Sequence, residues 1–78
     1  MINPKIATYE DGYAFNSETG ESFFVNETGR LILEFLKNGK DFEEIATYFT
    51  TEYEVSLQDF ERFYFEFLDI LKNYQFLR

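Results

Sequence analysis

The sequence predicts an α+β fold, with strands in the first third and three helices after them. Two observations predict it. Up to Val25 the apolar residues fall in short runs broken by Gly-containing turn signals. From Asn26 onward they recur three times at helical spacing, each time behind a residue suited to capping a helix. The 78 residues suit one domain and leave no room for a second. A chain of this size buries only about 60% of the surface its unfolded form exposes, so it needs a dense core or covalent staples. Staples are absent, since the chain has neither Cys nor His. That composition also excludes disulfides, thiolate or imidazole metal sites, and Cys–His or Ser–His–Asp catalysis. Eleven Phe and six Tyr supply the core instead.

Lys5–Tyr9 is the first short run, ended by Glu10-Asp11-Gly12. Tyr13–Asn16 and Ser22–Val25 flank Ser17-Glu18-Thr19-Gly20, where Gly20 can take the left-handed conformation a hairpin loop requires. Aromatic residues occur at both parities, as Tyr13 and Phe15 and as Phe23 beside Phe24. The pattern therefore leaves open both the register and which amides of Ser22–Val25 face outward.

Asn26 caps the first helix, whose apolar face is Leu31, Ile32, Phe35 and Leu36, and Asn38-Gly39 ends it. Asp41 with Glu44 forms a capping-box pattern before the second, with Phe42, Ile45, Ala46, Phe49 and Tyr53 in one row. Ser56 caps the third, from Leu57 to about Lys72. Its stripe, Leu57, Phe60, Phe63, Tyr64, Phe67, Leu68, Ile70, Leu71 and Tyr74, covers nearly half the circumference, where a surface helix needs about 100°. Part of that width is available to something other than the domain's own core. Phe65 falls outside the stripe, and Gln75–Arg78 is expected to fold back over the core. Three helices beside a hairpin resemble a winged helix.

The formal charge of −8 opposes nucleic-acid binding, which needs basic groups to displace counterions from phosphate. The helix Phe42–Tyr53, which a winged-helix DNA reader would use for recognition, has no Lys or Arg. No apolar run is long enough to span a bilayer, and Met1–Lys5 lacks the apolar stretch of a signal peptide, so a cytoplasmic protein is expected. Carboxylates are the only abundant titratable groups. Glu43 and Glu44 are adjacent, and Glu61 and Glu66 are five apart, so neither pair converges on one point and no metal or cofactor site is expected. Glu61, Glu66 and Asp69 instead give the third helix an acidic outer side suited to a basic partner. An open strand edge beside surplus rings is the arrangement that binds an extended peptide by strand addition. The competing classes are a dimerising module that uses the same groove on itself and a DNA-binding regulator.

The order of motifs resembles the PqqD-like family. Val25-Asn26-Glu27-Thr28-Gly29 with Ile32, Phe35 and Leu36 is similar to its (L/V)-N-x-T-G-x-x-I-W-x-L-L stretch. Gly39, Phe42, Glu44-Ile45-Ala46, Phe49 and Tyr53-Glu54-Val55 resemble its D-G-x-x-T-V-x-E-I-A segment and following F-x-V. Asp59-Phe60, Phe63, Phe67 and Leu71 resemble its last helix, and Phe76-Leu77 its G-L-L end. The similarity runs over residues 5–78. Leu33 stands where the family often has Trp, the first helix is one residue longer, and the family's late glycine is replaced around Asn73-Tyr74.

The resemblance implies a winged-helix-like α+β fold, an N-terminal three-stranded antiparallel sheet followed by three helices. It also implies a RiPP recognition element, a non-enzymatic module of ribosomal peptide biosynthesis. Such a module captures the leader segment of a precursor peptide as an added strand. It then presents the precursor to a modifying enzyme, often a radical S-adenosylmethionine protein. Carried over to this chain, Ser22, Phe23, Phe24 and Val25 are the receiving strand, and Phe60, Phe63, Tyr64 and Phe67 the opposite wall.

Overall fold

Two short turns build the sheet. At the first, the Gly12 amide donates to the Tyr9 carbonyl and the Asp11 carboxylate accepts from the Tyr13 amide, 3.0 and 3.1 Å apart. Gly12 has φ 92°, and a Cβ there would stand 2.4 Å from the Val25 carbonyl oxygen, so the close approach admits only glycine. At the second, the Asn16 side-chain oxygen accepts from the Glu18 and Thr19 amides, and Gly20 at φ 82° donates back to the Asn16 carbonyl. In the computed structural model, which describes residues 2–77, these turns join β1 (Ile6–Thr8), β2 (Tyr13–Asn16) and β3 (Ser22–Phe24). The sheet is antiparallel, in the order β1-β2-β3.

The register pairs Tyr13 with Phe24, Ala14 with Phe23 and Phe15 with Ser22. Ala14 is fully buried and Phe23 half-buried on one face, while Phe24 packs on Tyr13 on the other, rings 5.2 Å apart. The mixed parity of the sequence thus reflects a sheet with rings on both faces.

Each helix begins at the expected cap. Asn26, Asp41 and Ser56 accept from the amides of Gly29, Glu44 and Asp59, and start α1 (Glu27–Lys37), α2 (Phe42–Glu52) and α3 (Leu57–Asn73). Glu44 returns a bond to the Asp41 amide and completes the capping box. Gly39 ends α1 in the left-handed conformation, as expected. Gln75, at φ 59°, does the same beyond α3, and lets the Phe76 amide donate to the Leu71 carbonyl at 2.8 Å. Gln75 is thus the residue that takes the left-handed position after α3.

The core joins Ile32, Leu33, Ile45, Phe49, Leu71 and Phe76, all essentially inaccessible. Two expectations need correction. On α1 the fully buried side is Gly29, Ile32 and Leu33, whereas Leu31, Phe35 and Leu36 are half-buried. The helix is enclosed from two directions, since Phe35 reaches Tyr48 and Phe49 of α2 while Glu34 accepts a hydrogen bond from Thr8 of β1. On α3 the buried row is Phe60, Tyr64, Phe67 and Leu71, and Leu57, Ile70 and Tyr74 of the expected stripe are exposed.

The tail does fold back. Asn3 donates its amide to the Phe76 carbonyl, Ile2 bridges Leu77, and the Asn16 side-chain amide donates to the carbonyls of Tyr74 and Gln75. Arg78, included in that expectation, lies outside the described residues, as does Met1. Among the described residues no helix is long and apolar enough to cross a membrane.

Candidate peptide-binding groove

An antiparallel ladder alternates, and two bonds fix its phase here. The Asn16 amide donates to Glu21 and the Val25 amide to Gly12, both at 2.8 Å. Glu21, Phe23 and Val25 therefore turn their backbone groups toward β2, and Ser22 and Phe24 turn theirs to the open edge. That edge is what an extended chain would pair with. Phe24, 70% exposed, marks its outer rim.

Beside the edge lies a groove of about 190 Å³ between β3 and α3, lined by Phe23, Phe24, Val25, Asn26, Phe63, Phe67 and Ile70. The N-x-T-G segment builds its floor. Asn26 caps α1 through the Gly29 amide, and because Gly29 has no side chain, Phe67 lies directly on the helix backbone there. A Cβ at Gly29 would stand 3.2 Å from the tip of the Phe67 ring and 3.1 Å from the Val25 Cβ. The wall is made by Phe63 and Phe67, whose planes are 9° apart with centroids at 5.9 Å. Phe23 is held between Tyr74 and Phe76, at 5.1 and 4.9 Å, so the tail fixes the strand side of the groove. At the Asn26–Phe63 end the groove continues into a second depression of about 230 Å³, bounded by Phe49, Tyr53, Val55 and Phe60, with Thr28 and Asp59 at its rim.

Of the residues expected from sequence, Phe23, Phe24, Val25, Phe63 and Phe67 come together in the first depression, with Ser22 continuing the edge. Phe60 borders only the second, and is otherwise buried against Phe42 and Phe49. Tyr64 is elsewhere. It faces α2, 5.0 Å from Phe42, and borders neither depression. Burial, with the Asp41 carboxylate nearby, pushes its phenol above the ordinary value and keeps it protonated. Asn26 and Ile70 are the lining residues that sequence reasoning missed. Ile70 carried a usable signal, seven residues after Phe63 and three after Phe67, whereas Asn26 was accounted for by its capping role.

The first depression has no charged residue in its lining, and among the described residues no group of three or more carboxylates is placed to hold a metal ion. What the arrangement offers is directional backbone hydrogen bonding beside an apolar trough.

The family model for PqqD, coenzyme PQQ synthesis protein D, matches residues 13–77. Among solved structures, the chain is similar to a lasso peptide synthetase B1 complexed with the leader peptide. The TM-score is 0.79 and the identity 30%, over 94% of this chain and 89% of that one. No functionally curated protein matches significantly.

Proposed function

Because this chain belongs to the PqqD family, we propose that it is a RiPP recognition element, a peptide chaperone without catalytic activity of its own. It captures the leader segment of a ribosomally made precursor as a fourth strand along β3. It then presents the precursor to a modifying enzyme such as a radical S-adenosylmethionine protein. The observation that carries this reading is the outward-facing edge at Ser22 and Phe24 alongside the groove of Phe23, Val25, Phe63, Phe67 and Ile70. Backbone pairing supplies affinity for any extended chain, and alternate apolar side chains entering the trough supply selectivity. The similarity to a structure that holds a leader peptide supports the same ligand class.

The test is titration of a labelled cognate leader in the presence of a chelator. Binding at micromolar Kd or tighter, about 8 kcal/mol or more, is expected. Backbone amide shifts should concentrate in Ser22–Val25 and α3. Absence of binding, loss of binding with chelator, or shifts centred on α2 would overturn the assignment.

A further inference from the structure

The third helix carries rings on two opposite sides. Phe63 faces the groove, and Phe65, two residues on, is turned about 200° around the axis. Phe65 is 49% exposed although it is large and apolar. It stacks on Phe42 of α2 at 5.5 Å and 26°, and meets the edge of Tyr64. Phe42 in turn borders an open depression with Leu57, itself 56% exposed. Leu57, Phe42 and Phe65 thus give α2 and α3 an apolar centre facing away from β3. Carboxylates surround it. Glu43 borders the Leu57 side, and Glu61, Glu66 and Asp69 border the Phe65 side. The nearby cations are engaged locally, Arg62 with Asp59 at 2.9 Å and Lys40 with Glu44 at 3.8 Å. The face is therefore apolar in the middle and acidic at the rim.

We propose that this face docks the enzyme that acts on the captured peptide, through a surface on which apolar side chains are ringed by Lys and Arg. The proposal rests on the peptide-capture reading. An exposed apolar centre with a polar rim is the anatomy of a protein interface, and the carboxylates would steer a basic partner and fix its register. A second copy of this chain fits poorly, since each carries a charge of −8 and two such rims would repel. Because Phe63 and Phe65 point in opposite directions, peptide and enzyme can be held at the same time on one helix.

The experiment measures affinity of the full chain for the purified cognate modifying enzyme, and separately for the labelled leader. Phe65→Ser and the triple variant Glu61→Lys, Glu66→Lys, Asp69→Lys should each weaken enzyme binding about tenfold or more. Leader affinity should stay within about twofold, because Phe65, Glu61, Glu66 and Asp69 line neither depression of the groove. Wild-type enzyme affinity should fall as salt rises. Circular dichroism of each variant checks that it is folded. Enzyme affinity unchanged in both variants, or no enzyme binding by a chain that binds leader, overturns the docking face. So does a homodimer, seen by sedimentation, that Phe65→Ser dissolves. A chain that binds the enzyme through Phe65 but binds no leader would instead overturn the peptide-capture reading.

Discussion

Neighbouring residues on β3 have opposite tasks. The Phe23 amide belongs to the ladder with β2, and the Phe24 amide faces the open edge. Proline lacks that donor, so its effect depends on which residue it replaces. Phe24→Pro should leave the domain folded and weaken leader binding about tenfold or more, the equivalent of one lost backbone hydrogen bond to a bound strand. Phe23→Pro should break the β2–β3 pairing and lower the denaturation midpoint. Urea melts alongside leader titrations check both; the reverse pattern would mean that the ladder has the other phase. Tyr64 can be tested through its phenol. Its phenol titrates above the ordinary value of 10.0 because burial disfavours the charged form. The folded state then keeps a proton that the unfolded state loses. Its stabilising contribution is intact below pH 10 and is lost as pH rises through the folded-state value. Tyr64→Phe should show a shallower loss of stability as pH rises above 10.0 in urea melts, and an unchanged slope would count against that burial.

Elements differ in how far their sequence announced them. The caps at Asn26, Asp41 and Ser56 were legible because capping is a local exchange between one side chain and the amides of the following turn. The phase of the sheet was not, because rings at both parities fit either face. It is set by the Asn16–Glu21 bond that closes the hairpin loop and by the Gly12–Val25 bond at the hairpin's far end, neither of which side-chain pattern reveals. The wall of the groove was half legible. Phe63 and Phe67 could be read from helical spacing, but Tyr64 is one step of about 100° away, and α2 packs on that side. Where the neighbouring helix settles is not written in the helix itself. Gly29 links the elements and gives a sharp test. Alanine there gains up to about 1 kcal/mol of helix propensity, offset by the tight contacts with Val25 and Phe67. Phe67 lines the groove, so a displaced ring tip alters the groove's wall. Gly29→Ala should therefore change the melting temperature little and reduce leader affinity several-fold; equal affinity would show that the ring has another way out.

For the molecule as a whole, the decisive fact is that a chain without staples depends on a few rings buried completely. A domain of this size has roughly 4–12 kcal/mol of stability in all. Phe76, fully buried near one end, packs on Phe23 of the peptide-receiving strand. Phe76→Ala should cost about 3–5 kcal/mol, enough to unfold most of the population if the domain sits near the lower bound. A cooperative thermal melt within a few degrees of wild type would contradict that.

The contact between Phe76 and Phe23 also orders events while the protein is being made. A ribosome releases the hairpin before residues 74–77, so β3 emerges ahead of the rings that hold it in place. Until residues 74–77 arrive, Phe23 lacks the two rings that flank it in the fold, and an isolated hairpin is at best marginally stable. The pairing edge therefore takes its final geometry only once the tail has packed against Phe23 on the core face of β3.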